Sequence, residues 1–495
     1  MHCPRIVIAG TQSGVGKTSL ALALVHALTR RGLRVQTFKA GPDFLDPTYL
    51  ALGSKRPCYN LDGWMTSREY ALALFARASA GADLAVIEGV MGLFDGADPR
   101  TNEGSTAEIA SWLDAPVLLA VNAHGAARSL AASVKGFCEF DPGLRIAGVI
   151  ANQAGSARHA RWLSDSFEAA GLPPLLGAIP RGAFPELPSR HLGLVTADGR
   201  NLSERTLDSL ADAFEANVSL DSIMQLVAGL SHRPVRVEAA RPSSNSRAPM
   251  RVKLGVARDR AFHFYYPDNL EGLEAHGCEL VQFSPLTDAR LPAGLNALYL
   301  GGGYPEGNAA ELAANKTMLA DIRAFASAGR TVYAECGGLM YLAEGIETLD
   351  GRRHALAGVL PVWTRMRERR KALGYVEVTL TQDALWGARG TTLRGHEFHY
   401  SELVSQEGAA PISGQGGLTP PAGRRPGVAG SLEIGCLSPL EAHWRTAYSV
   451  QARGEPEPVA EGFQRGRMLA SYVHAHFASR PEAVRSFVAN CEAAS

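Results

Sequence analysis

Apolar runs of strand length recur along the first half of the chain, and helical stretches separate most of them. RIVIAG (5–10), RVQTFKAG (34–41), DLAVIEGV (83–90), APVLLAVNA (115–123) and RIAGVIANQ (145–153) are these runs. The first leads through a glycine loop into TSLALALVHALTRRG (18–32), whose length and alanine content predict a helix. Strands that alternate with helices imply a doubly wound parallel sheet. The pattern fades near residue 230. HRPVRVEAARPSSNSRAPM (232–250) is rich in proline, serine and arginine and reads as a linker. A second α/β pattern then begins. VKLGVARD (252–259), ALYLGGG (297–303) and TVYAE (331–335) read as strands, NLEGLEAHG (269–277) and IRAFASAGR (322–330) as helices. GGLTPPAGRRPGVAG (416–430) lies in a stretch of about 404–432 that reads as a mobile insertion between strands. The predicted organisation is a domain over 1–231, a linker over 232–250 and a second domain over 251–495.

Length and charge narrow the picture. At 495 residues the chain exceeds one ordinary core, so several domains are expected. Lys plus Arg and Asp plus Glu both number 49, so nothing pulls the chain toward nucleic acid or an anionic membrane. No apolar run is long enough to span a bilayer, and MHCPRIVIAG reads as a strand rather than a signal peptide. The 7 cysteines are scattered and form no C-x-x-C pair, which argues against a zinc site or a disulfide framework. A cytoplasmic location is expected.

GTQSGVGKT (10–18) joins the first strand to the first helix. Backbone N–H groups of such a loop, backed by a helix N-terminus, cradle phosphate oxygens. Gly14 and Gly16 let the backbone approach the phosphates, with Thr11 and Val15 part of the same loop. Lys17 reaches the terminal phosphates and Thr18 holds Mg2+. Counted back from Gly16-Lys17, the standard pattern starts at Thr11 and not at Gly10, so the loop is a variant. ATP and Mg2+ are the expected ligands. The metal also needs acids. FKAGPDFLDP (38–47) offers Lys39, Asp43 and Asp46, and IEGVMGLFDG (87–96) offers Glu88. In a parallel sheet these strand ends share one edge with the phosphate loop. Thr18, Asp46 and Glu88 are the candidate metal ligands, and Asp95 reads as a solvated turn residue.

AECGG (334–338) places a cysteine where a strand breaks into a tight turn, with helix-like LMYLAEGI (339–346) behind it. This resembles a nucleophile elbow, in which the helix N-terminus lowers the thiol pKa. Cys336 is thus the candidate nucleophile. Gly302 and Gly303 of ALYLGGGYPEG (297–307), with Gly337, offer the N–H groups of an oxyanion hole. SYVHAHF (471–477) offers two bases, His474 and His476. On a strand, residues two apart share a face, so spacing does not choose between them.

These motifs together carry a resemblance. GTQSGVGKT is similar to the dethiobiotin synthetase-like branch of P-loop proteins. GGGYPE, AECGG and SYVHAHF resemble the class I glutamine amidotransferase domain, a flavodoxin-like fold, in its cobyrinate/cobyric acid form. With FKAGPDFLDP, IEGVMGLFDG, FYYPDNLEGLEAHG (264–277) and RGHEFHYSEL (394–403), nearly the whole chain resembles the cobyrinate/cobyric acid amidotransferase family. The resemblance implies glutamine hydrolysis through a cysteinyl thioester in the second domain. It also implies ATP-dependent activation of the a- and c-carboxylates of cobyrinic acid in the first, as acyl phosphates, and a path for ammonia between the two sites. It makes Cys336 the nucleophile and His474 its base, because related enzymes align a YxHG-like motif with the first histidine. Lys39, Asp43, Asp46 and Glu88 fall at the carboxylate-activating site, and His396 and His399 near the corrinoid or the domain interface. A homodimer is among the partners it admits. Many class I members have Glu two residues after the base; here His476 stands there, which implies a Cys-His dyad without a third acid.

Four alternatives remain at this stage. Cobyric acid synthase-type amidation fits less well, since Ala475 replaces the glycine usual after the base. The same reaction on metal-free hydrogenobyrinic acid and the related nickel-sirohydrochlorin enzyme stay open. A partition-type P-loop switch lacks its early lysine here and has no use for Cys336.

Overall fold

The computed structural model describes residues 3–187, 189–190, 193–194, 202–229, 250–404 and 444–493. The chain divides into two units, Met1–Arg241 and Pro242–Ser495. The predicted linker, except Met250, and the predicted insertion, except Val404, lie outside the described residues.

In the first unit β1 (Arg5–Gly10), β2 (Val35–Ala40), β3 (Tyr59–Leu61), β4 (Leu84–Glu88), β5 (Val117–Asn122), β6 (Ile146–Ala154) and β7 (Leu175–Pro180) build one sheet. Its order is β3-β2-β4-β1-β5-β6-β7, and every neighbouring pair is parallel. Every residue of β1, β2 and β4 is buried, as expected of strands covered on both faces by helices. One layer packs the helix Lys17–Arg30 through Leu20, Leu24 and Leu28 onto Ile6, Ile8 and Val86. The other packs Phe75, Ile109 and Leu113 onto Val7, Phe38 and Ile87. The strand order reverses at β1, where a doubly wound sheet opens its ligand crevice. A short antiparallel pair, β8 (Ser189–Arg190) and β9 (Gly193–Leu194), follows.

The second unit begins with β10 (Val252–Ala257), β11 (Cys278–Phe283), β12 (Ala297–Leu300) and β13 (Thr331–Glu335). β14 (Ala343–Glu347), β15 (Arg353–Ala355), β16 (Leu360–Met366), β17 (Ala372–Leu380), β18 (Thr392–His399) and β19 (Ser401–Val404) come next. β20 (Arg445–Ala452), β21 (Val459–Arg465), β22 (Met468–Ser471) and β23 (His474–Ala475) complete it. The main sheet runs β11-β10-β12-β13-β22-β21-β20-β17-β18-β23, and β15-β14-β16-β19 form a second sheet. The block from β11 to β22 is parallel and the rest antiparallel.

Two local expectations change. LMYLAEGI is not one helix: the helix spans Gly337–Leu342, and Ala343–Glu347 leaves it to pair in parallel with β16. SYVHAHF is not one strand either. β22 ends at Ser471, and the two-residue β23 pairs antiparallel with β18, with His396 opposite His474. Gly395 permits that approach, since a Cβ there would lie 2.1 Å from the His474 carbonyl oxygen.

Candidate functional site

The first unit presents a cavity of about 850 Å3 at the C-terminal ends of its strands, lined among others by Gly14, Gly16, Lys17, Thr18, Lys39 and Glu88. The phosphate loop leaves β1 and enters the helix Lys17–Arg30 through Gly14 (φ 79°) and Gly16 (φ 93°). Left-handed backbone of this kind favours glycine. A Cβ on Gly16 would also lie 2.3 Å from Asn152 Nδ2. Val15 is buried, and its carbonyl accepts from that same Nδ2 at 2.9 Å. Thr11 N donates to Ala120 O at 3.1 Å, which ties the loop to β5. Lys17 Nζ donates to Gln12 O at 3.3 Å.

Behind the loop sits a charged cluster. Thr18 Oγ1 donates to Glu88 Oε1 at 2.7 Å. Lys39 Nζ lies 2.5 Å from Asp46 Oδ2, 3.0 Å from Glu88 Oε1 and 4.0 Å from Asp43 Oδ2. Burial draws the Lys39 ammonium toward neutrality, but Asp46, Glu88 and Asp43 outweigh it and hold its pKa above the ordinary lysine range. Burial and the Asp46 charge raise the carboxyls of Asp43 and Glu88, against Lys39. Asp46 is also pushed up by burial, yet Lys39 prevails and keeps it below its ordinary value. Glu88 Oε2 is buried with no hydrogen-bond partner among the described residues. A hydroxyl and carboxylates are the hard oxygen donors that suit Mg2+, so Thr18, Asp46 and Glu88 fit that ion.

In the second unit three parallel strand ends meet. Cys336 follows β13 with φ 45° and ψ −98°, and its N–H donates to Ser471 O at 2.7 Å at the end of β22. Such a conformation in a non-glycine residue is strained by about 1–3 kcal/mol, and an elbow that presents a nucleophile is a place where strain persists. Gly338 is required behind it, because a Cβ would lie 2.0 Å from Leu300 O. The end of β12 comes equally close. A Cβ on Gly303 (φ 152°) would lie 2.1 Å from Ala261 O, and one on Gly337 3.1 Å from Gly303 N. A Cβ on Gly302 would lie 2.3 Å from His474 Cε1. Gly302, Gly303, Gly337 and His474 therefore converge beside Cys336.

The two histidines part company here. His476 Nε2 lies 3.4 Å from Asp268 Oδ2, its ring centroid lies 4.7 Å from that of Tyr266, and its Nδ1 accepts from Ala478 N at 3.3 Å. His474 turns to the glycines instead. Burial, with His396 and His399 nearby, holds His474 well below the ordinary histidine value, so the imidazole is neutral and able to accept a proton. The thiol departs from expectation. Burial, then Glu306, pushes the Cys336 pKa up, and the Gly337 N–H opposes only in part. A six-residue helix buried with the sulfur does not make it a resting thiolate.

His396 and His399, expected near the corrinoid or the domain interface, are carried by β18 of the second unit. His396 stacks on His474 with centroids 5.1 Å apart and contacts Tyr266 Oη through Nδ1 at 3.0 Å. His399 stacks on Tyr472 at 3.9 Å. β18 carries both toward the elbow because it pairs with β23. Sequence reasoning left two residues without a role. Asn152, the polar end of an apolar run, props the phosphate loop. Glu335, between TVYA and Cys336, is buried and accepts from Tyr299 Oη at 2.8 Å, Tyr333 Oη at 2.7 Å and Ala475 N at 3.2 Å.

Comparison with known proteins gives both halves a match. Residues 6–195 match the CobQ/CobB/MinD/ParA nucleotide binding domain, and residues 253–425 the CobB/CobQ-like glutamine amidotransferase domain. The chain is 56% identical to a cobyrinate a,c-diamide synthase of Syntrophotalea carbinolica, over 99% of each chain. It is 41% identical to one of Leptospira interrogans, over 99% of this chain and 98% of the relative. For the Salmonella typhimurium enzyme of the same name the identity is 39%, over 98% and 97%.

Proposed function

The chain belongs to the cobyrinate a,c-diamide synthase family, and from that premise we propose how its residues divide the reaction. The activity is the ATP- and glutamine-dependent amidation of the a- and c-carboxylates of cobyrinic acid. A carboxylate is a poor electrophile. Transfer of the terminal phosphoryl group of ATP to a carboxylate oxygen gives an acyl phosphate and ADP. Ammonia then attacks the carbonyl carbon, phosphate leaves, and the amide remains.

In the first unit the loop Thr11–Thr18 holds the ATP phosphates, with Lys17 on the terminal ones. Mg2+, held by Thr18, Asp46 and Glu88, neutralises phosphate charge when bound. Lys39 bridges Asp46 and Glu88 and favours their ionised forms against burial. Asp43, on the cavity wall, faces the corrinoid carboxylate being activated.

In the second unit His474 takes the Cys336 thiol proton as the sulfur attacks the glutamine carboxamide carbon. The N–H groups of Gly303 and Gly337 stabilise the oxyanion. His474 returns the proton to the departing ammonia, which leaves a thioester. Water, deprotonated by His474, hydrolyses it to glutamate. Because burial raises the thiol, the thiolate forms only as His474 accepts its proton. The use of ATP as co-substrate supports a cytoplasmic location.

The observation that carries this reading is the convergence of the strained Cys336 elbow, the β12 glycines and His474. Its test is incubation with ATP, Mg2+, glutamine and cobyrinic acid, followed by product mass, with Cys336→Ala alongside. Two successive carboxyl-to-amide conversions are expected. The variant should lose them with glutamine and regain them with free ammonia. A Cys336→Ala protein that still uses glutamine overturns the assignment.

A further inference from the structure

We infer that Glu335 is the positioning residue of the glutaminase site: its carboxylate orients the His474 imidazole and balances the charge His474 gains from the Cys336 proton. The inference rests on the Cys336–His474 reading above.

The geometry is specific. Glu335 ends β13 and directly precedes the nucleophile, and its Oε2 lies 4.0 Å from His474 Nδ1. Three donors hold the carboxylate in place. Tyr299 Oη bonds Oε2, while Tyr333 Oη and Ala475 N bond Oε1. Ala475 follows His474, so the carboxylate holds the backbone of the base by a hydrogen bond and lies within ion-pair reach of its ring. The histidine's own strand cannot supply this acid. The position two residues on is His476, whose ring is engaged with Asp268. The acid comes from the nucleophile's strand instead, because β13 and β22 run side by side and β23 follows at the same end. The expected dyad without a third acid thus becomes a triad drawn from different strands.

A buried carboxylate is costly unless paired. Here its full partner exists only while His474 carries the proton, so it favours the transition state over bound glutamine. Around the carboxylate stand Tyr299, Tyr333 and His474, with Tyr265, Tyr448 and Cys336 further off. Burial raises Glu335 to about 7, with Tyr333, Tyr299 and the Ala475 N–H opposing. The ionised form is the active one, so glutamine hydrolysis falls as pH drops through that value.

The test is Glu335→Gln, compared with wild type, Cys336→Ala and His474→Ala in glutamine-dependent and ammonia-dependent amidation. The expected result is a roughly 10- to 100-fold loss of glutamine-dependent kcat, with KM changed by less than about 3-fold. The acidic limb near neutral pH should vanish, and ammonia-dependent amidation should persist. If Glu335→Gln keeps both its glutamine-dependent kcat and that limb while Cys336→Ala is dead, Glu335 only anchors structure and the inference falls alone. If Cys336→Ala or His474→Ala still hydrolyses glutamine, the parent reading falls first. Should the Gln variant not fold, Tyr299→Phe decides. Loss of that donor should move the limb to higher pH; an unmoved limb overturns the inference.

Discussion

Lys39 is one cation among three acids, buried together with Glu88. Removing one partner of a buried ionic cluster leaves uncompensated charge and costs about 3–5 kcal/mol. Lys39→Met should therefore abolish amidation with glutamine and with ammonia alike, while glutamine hydrolysis continues. Its stability deficit, read from denaturant unfolding, should be larger at pH 8.5 than at pH 6. The sign follows from Asp43 and Glu88. Their carboxyls already sit above ordinary values. Without Lys39 they rise further, so protonation removes the uncompensated charge at the lower pH. The sequence showed Lys39, Asp43, Asp46 and Glu88 as acids and a base at strand ends. It did not show that Lys39 binds Glu88, because that contact joins β2 to β4, which are 49 residues apart at this pair.

At the scale of elements, the site is made of strand ends that stop at one level. β12, β13 and β22 pair in register, and each is followed by a residue of the proposed glutaminase site. Gly338 shows how little room the elbow has. Gly338→Ala would bring its Cβ to 2.0 Å from Leu300 O, where backbone cannot yield cheaply. We expect a loss of about 1–3 kcal/mol from the unfolding of the second unit, by overpacking. Glutamine-dependent amidation should fall, and ammonia-dependent amidation survive, in a parallel assay. The apolar run and the Cys-Gly-Gly turn were legible because strand, turn and glycine signals are local. The helix behind them was legible only in part. LMYLAEGI has apolar content that suits helix or strand, and pairing of β14 with β16 resolves it at Ala343.

For the molecule as a whole, ligands should act on one unit at a time. ATP with Mg2+ at about 100 times its Kd should stabilise the unit that binds it by about 2.7 kcal/mol. Calorimetry should show that shift in one transition, and chelation of the metal should reverse it. Lys17→Ala should remove it while leaving the other transition in place; a shift that survives would place ATP elsewhere. The sequence by itself determined the two α/β patterns, the phosphate loop between β1 and the first helix, and the cysteine at a strand end. These signals are carried by neighbouring residues: periodicity, glycine placement and the order of motifs. Only the tertiary structure set His474 against the β12 glycines and His476 against Asp268, brought Asn152 under the phosphate loop and set Glu335 within 4.0 Å of His474. Asn152 meets Val15 across 137 residues, and Glu335 meets Ala475 across 140. Contacts at such separations depend on which strands lie side by side, and strand order belongs to the folded sheet rather than to any local pattern.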